Sequence, residues 1–170
     1  RAFLMLGFPR ETNKMISDTL RLALQMDLDW YNITMLEPLP NTPIYEVMVE
    51  LGMVEKSKVL NSRTNAGPVG KSESFKASDF FTKKDLAGLF QNSGLDQIPS
   101  QMELSKIWFY ANYYLNFCPL LGETHWPKFE RKAKYINAIC DTSSPNNGFA
   151  VYFKAYAQHK LRNQVDAHLL

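Results

Sequence analysis

The sequence predicts an α/β segment followed by an all-helical one, and three observations predict it. Two short apolar runs, Phe3–Leu6 and Tyr31–Leu36, are each followed by apolar residues at helical spacing. From Asp79 onward every apolar stretch keeps that helical spacing, and between the two regimes lies a polar, irregular stretch from residue 53 to about 80. The composition suits an ordinary folded domain: 170 residues, 45% apolar and 21% charged. Nineteen basic against 17 acidic residues leave a net charge of +2, too small an imbalance to mark a nucleic-acid partner. No apolar run reaches the roughly 18 residues of a membrane span. The longest candidate, Ile107 to Leu121, carries Asn112 and Asn116. Two cysteines, Cys118 and Cys140, cannot build a disulfide framework, so a reducing, cytoplasmic compartment is the default expectation.

Phe3–Leu6 stops at Gly7-Phe8-Pro9 and reads as a buried parallel strand. Met15, Ile16, Thr19, Leu20, Leu22, Ala23 and Met26 then recur at helical spacing, with Thr12 or Asn13 as cap. Tyr31–Leu36 is the second strand, ended by Glu37-Pro38-Leu39-Pro40, whose prolines forbid further ladder bonds and helix alike. Thr42 caps the next helix, with Pro43 at its first position and Ile44, Val47, Met48 and Leu51 as its apolar stripe. Gly52 is placed to end it in the left-handed conformation.

Residues 53–99 read as an irregular connection containing one helix, opened by Thr82-Lys83-Lys84-Asp85, continued by Leu86, Leu89 and Phe90, and closed by Gly94. Within it Asn65-Ala66-Gly67-Pro68-Val69-Gly70-Lys71-Ser72 imitates a phosphate-binding loop. Asn65 replaces the first glycine and Pro68 removes an N–H from the cradle, so the match is set aside. Residues 100–170 form the helical extension. Ser100-Gln101-Met102-Glu103 is a capping box opening a long helix that Pro119 should stop. A further helix from Pro127 carries Phe129, Ala133, Ile136 and Cys140, and a last one holds Phe149, Tyr152, Phe153 and Tyr156. The aromatic residues Trp108, Phe109, Tyr110, Tyr113, Tyr114 and Phe117 are read as packing residues.

Two loops carry chemistry. Gly7-Phe8-Pro9-Arg10-Glu11-Thr12 and Glu37-Pro38-Leu39-Pro40-Asn41-Thr42-Pro43 each follow a strand and precede a helix, the place where α/β folds bind ligands. Gly7 permits close backbone approach, the first free N–H groups of the helix could receive an anion or ether oxygen, and Glu37 could accept from an amine or hydroxyl. Either loop alone is better read as a plain turn; as a pair they face one end of a sheet.

Taken together, Phe3-Leu4-Met5-Leu6-Gly7-Phe8-Pro9-Arg10-Glu11-Thr12 and Pro40-Asn41-Thr42-Pro43-Ile44-Tyr45-Glu46 resemble the late barrel strands of radical S-adenosylmethionine enzymes. The resemblance is closest to the class that often carries an N-terminal cobalamin-binding domain, and it covers about residues 2 to 51. The family pattern is a strand, G-F-P-G-E-T, an amphipathic helix, then a strand ending in P-x-P-G-T-P-L-Y. This chain departs from it at Arg10 and Asn41, where the family usually has glycine. The resemblance implies that residues 1–52 are terminal βα units of a partial (β/α) barrel. Gly7, Phe8, Pro9 and Glu11 would line the S-adenosylmethionine site, with Glu37 and Pro38 on its cofactor or substrate side. It further implies a [4Fe–4S] cluster held by three cysteines in a C-x-x-x-C-x-x-C pattern, a substrate of small-molecule or peptide type, and cobalamin in the full-length protein.

Cys118 and Cys140 do not form that pattern and read as small buried apolar residues. The cluster ligands are therefore expected upstream of Arg1, in the other half of the same protein, and this chain alone is not expected to be active. The abrupt apolar start after Arg1 fits a longer protein entered in its middle. The alternative is a helical interaction module without catalysis of its own. Its last segment, from Ala155 through Leu161 and Asn163 to Ala167, bears a faint likeness to one tetratricopeptide unit.

Overall fold

The structure, a computed structural model, describes residues 1–54, 90, 94–142 and 145–168, with side chains up to residue 163. Its elements are β1 (Ala2–Leu6), α1 (Asn13–Met26), β2 (Tyr31–Met35), α2 (Pro43–Glu50), α3 (Gln101–Asn112), a π-helical turn (Tyr113–Phe117), α4 (Pro119–Gly122), α5 (Trp126–Asp141) and α6 (Gly148–His168). The expected helix over 82–94 and the loop at 65–72 lie outside the described residues, apart from Phe90 and Gly94. An α/β start followed by helices is thus observed, with two parallel strands among the described residues.

The chain divides into two compact units, one of Phe3–Met26 with Asn32–Ala111, the other of Arg1–Ala2, Asp27–Tyr31 and Asn112–Leu170. The sequence places divisions after residues 52 and 99, and the contacts group most of α3 with the strands. The reason is specific packing. The Trp108 indole N–H donates to the Ile33 carbonyl at 2.6 Å, and Leu104 fills the space beside Gly7.

In the strand-bearing unit β1 is not buried on both faces, as the sequence suggests. Leu6 is buried, but Phe3 is 70% and Met5 46% exposed, the alternation of a half-covered strand. α1 buries Ile16, Leu20 and Ala23 on one stripe, while Met15, Leu22 and Met26 face solvent. Its cap is Thr12, whose Oγ1 accepts the Met15 N–H at 3.3 Å. α2 has the expected ends: Thr42 Oγ1 accepts from the Tyr45 N–H, Pro43 stands in the first turn, and Gly52 takes φ +67°. Its buried face differs from the expected stripe, because Tyr45 and Met48 are covered while Val47 and Leu51 are exposed.

The helical unit has its own core of Trp30, Phe117, Leu120, Phe129, Ala133, Ile136, Cys140, Ala150, Phe153 and Ala157. The spacing 129, 133, 136, 140 delivers all four expected α5 residues to it, and Ala150 and Ala157 let α6 pack closely against α5. Trp30 meets Phe117 edge-on and stacks on Tyr135, at 5.7 and 5.9 Å between ring centres. Pro119 does not simply stop a helix. The ladder first widens, the Cys118 N–H donating to the Tyr113 carbonyl five residues back at 2.8 Å. Pro119, with no N–H to give, then opens α4, where none is needed. Cys140 is buried and Cys118 half-buried, both as free thiols. No helix among the described residues is long and apolar enough to cross a membrane.

Candidate functional site

The two strands end level. The Leu36 N–H donates to the Leu6 carbonyl at 2.8 Å, so Gly7 and Glu37 begin their loops side by side at the carboxyl end of the sheet. Each loop then turns through a proline followed by a residue of positive φ. In the first, the Glu11 N–H donates to the Phe8 carbonyl at 3.0 Å, with Pro9 second and Arg10 third in the turn, at φ +65°. In the second, the Thr42 hydroxyl donates to the Leu39 carbonyl at 2.7 Å around Pro40 and Asn41, the latter at φ +64°. Proline followed by a residue of positive φ is the pattern of a type II turn, whose third position favours glycine or asparagine. Arg10 is neither, and its Cβ crowds the backbone there.

The first loop is held from within. One oxygen of Glu11, Oε2, accepts from the Gly7 N–H at 2.6 Å and from the Phe8 N–H at 3.1 Å. The Gly7 and Phe8 amides, at the point where the sequence allows close backbone approach, are thus taken by the chain's own carboxylate. A side chain at Gly7 would be strained at its φ of +88°, and a Cβ there would lie 2.6 Å from Leu104 Cδ2, which would have to shift. Its missing side chain makes room for α3. The end of α1 is also covered: the Asn13 and Lys14 N–H groups donate to the Gln97 and Leu95 carbonyls at 2.9 and 2.8 Å. What faces outward is Phe8, Arg10, Glu37 and Leu39, all exposed, with Pro9 and Pro38 half-buried behind them. The structure therefore joins Gly7, Phe8 and Glu11 by hydrogen bonds. It sets Glu37 and Pro38 on the adjacent loop, with no hydrogen bond or ion pair to the first loop among the described residues.

Residues 94–97 and Leu104 shape this end of the sheet and carry no sequence signal for it. Their partners lie about eighty or more positions away, beyond the reach of local patterns. Among the described residues no three His, Cys, Asp or Glu side chains gather as metal ligands.

The helical unit holds a second polar cluster that sequence reading misses. Lys132 is 1% exposed on α5, and its ammonium donates to the Leu28 carbonyl at 3.1 Å. Burial pushes its pKa down, and the nearby Lys128 adds to the effect against Asp27, Asp29 and Glu123. Arg131 grips Asp29 with two bonds, Nε to Oδ2 at 2.8 Å and Nη2 to Oδ1 at 3.3 Å, and that hydrogen bonding lowers the Asp29 pKa. Lys128 pairs with Asp27, itself at φ +45° just after α1. In the same unit the buried Asn116 side chain imitates a neighbouring strand. Its Oδ1 accepts the Tyr31 N–H at 2.8 Å and its Nδ2 donates to the Tyr31 carbonyl at 2.9 Å. These contacts tie the 27–31 segment to the helices and have no reactive partner.

Comparison of the chain with protein-family models, with curated proteins and with solved structures gave no match.

Proposed function

We propose that this chain is the C-terminal part of a radical S-adenosylmethionine enzyme, its strands being the last βα units of a partial (β/α) barrel. The observation that carries the reading is the backbone at Arg10 and Asn41. At both positions where the resembled family usually has glycine, this chain adopts φ near +65° despite having another residue. The turn geometry that glycine serves is therefore present without the glycine.

The chain's residues fit the two implied groups unequally. The cluster finds no ligand set among the described residues, where no three His, Cys, Asp or Glu side chains gather and Cys140 is buried. Its ligands belong, in this reading, to the upstream half. Held there, such a cluster would supply the reducing electrons for reductive cleavage of S-adenosylmethionine. S-adenosylmethionine finds a partial fit. Phe8 offers an exposed ring face and Glu37 an exposed carboxylate, groups able to stack on adenine and to accept from an amino group or ribose hydroxyl. Glu11 does not reach the ligand but fixes the loop that presents Phe8, through the Gly7 and Phe8 amides. Pro9 and Pro38 stiffen the two loops. Cobalamin and the substrate rest on the resemblance alone.

The test is equilibrium binding of S-adenosylmethionine to the full-length gene product with its cluster assembled. The reading expects saturable binding that weakens at least about tenfold in Phe8→Ala or Glu37→Gln. Absence of binding counts against it, and undiminished binding in both variants counts against these loops. The alternative reading is a helical interaction module formed by residues 100–170, where Met102, Leu121, Val151 and Tyr152 are exposed large apolar side chains among the described residues.

A further inference from the structure

Residues 94–97 cross the start of α1, and the way they are held is unusual for a permanent part of a fold. Among the described residues three hydrogen bonds fasten them to α1: Asn13 N–H to Gln97 O at 2.9 Å, Lys14 N–H to Leu95 O at 2.8 Å, and Asn13 Nδ2 to Gly94 O at 3.1 Å. Apolar burial contributes little. Leu95, the one large apolar side chain of the segment, is 51% exposed, and the following Ile98 is 49% exposed. Its inner contact is polar and incomplete as well. Asn13 is 2% exposed, yet its Oδ1 has no hydrogen-bond partner among the described residues.

We infer that residues 94–97 are a latch that detaches from α1 while the rest of the fold stays intact. Segments held by hydrogen bonds with little apolar contact open at far lower free energy than the core. Closing satisfies two helix-end amides and half of the Asn13 carboxamide; opening hydrates all of it, including Oδ1. What opening uncovers is donor-rich: two main-chain N–H groups and a carboxamide N–H₂, next in the chain to the 7–12 loop. The latch thus sets whether acceptor groups of a ligand can reach the end of α1. It is a property of this chain and does not depend on which ligand the loop serves.

Hydrogen exchange on the full chain, residue by residue, tests the latch. The Asn13 and Lys14 amides should be protected at least about tenfold over an unstructured peptide, because the latch is seated most of the time. They should exchange at least about a hundredfold faster than Leu20 and Ala23 of the same helix, with no dependence on low urea. Protection equal to Leu20, rising and falling with it in urea, would show a permanent element and overturn the inference. Exchange at the unstructured rate would show a latch that does not seat, and would overturn it too. Asn13→Ala supplies the second arm. Lys14 protection should drop at least about fivefold while Leu20 is unchanged; a common drop, or none at Lys14, contradicts the latch.

Discussion

Arg10 occupies a left-handed turn position at which a side chain is disfavoured, and Asn41 does so with a side chain that tolerates it. Arg10→Gly should therefore stabilise the protein by about 0.5–1 kcal/mol in urea unfolding, and Asn41→Gly by a few tenths at most. Equal effects at the two sites would argue against backbone strain at Arg10. Lys132 makes the opposite kind of statement, a charge kept almost wholly from water with one carbonyl partner. Its folded pKa is lowered, so between that value and the ordinary lysine value the unfolded chain binds more protons, and stability rises with pH across that window. Lys132→Met should abolish this alkaline rise and leave stability near neutral pH unchanged or higher, by up to about 1 kcal/mol, as read by unfolding across pH. Asp29 works on the acid side: with its pKa lowered by Arg131, its contribution is present above the ordinary aspartate value and fades as pH falls through the folded one. The two loops were legible as strand-to-helix turns, but the positive φ at Arg10 was not, since arginine disfavours it. Lys132 was not, because a lysine on an amphipathic helix reads as surface until the segment covering it is known.

Helix ends are where sequence and structure agree best. Thr42 with Pro43, Gly52, and the Ser100–Glu103 box are local devices, and each forms. Ser100 Oγ and N–H both donate to Glu103 Oε2, at 2.7 and 2.8 Å, while the Glu103 N–H donates back to Ser100 Oγ at 3.3 Å. That bonding lowers the Glu103 pKa. Packing between elements was less legible. Gly7 looked like an opening for a ligand, whereas its bare Cα admits Leu104 from a helix nearly a hundred residues on. Gly7→Ala should cost more than about 2 kcal/mol, since it meets both a positive φ and a steric overlap. Adding Leu104→Ala should recover part of the overlap and none of the φ penalty, so the pair will be non-additive. The π-helical turn is a similar case. Its five-residue bond carries no sequence signature, yet Asn116 lies within it and reaches Tyr31. Asn116→Leu should cost about 2–3 kcal/mol, because it removes the two hydrogen bonds between the buried carboxamide and the Tyr31 main chain.

At the scale of the molecule, the order of elements was legible as an α/β start and a helical continuation, since periodicity changes along the chain. The exposed face of β1 was not, because a short apolar run does not say which of its faces is covered. Phe3 and Met5 stand on the uncovered side, and the carboxyl ends of both strands carry the two proline turns. In the proposed enzyme that end of the sheet meets the cofactor, and the upstream half provides the cluster. The most direct measurement is release of 5′-deoxyadenosine by the full-length gene product, reconstituted with iron and sulfide and supplied with S-adenosylmethionine and a strong reductant. The account predicts release that requires the assembled cluster and falls at least about tenfold in Glu37→Gln. An intact, reducible cluster with no 5′-deoxyadenosine formed would contradict it.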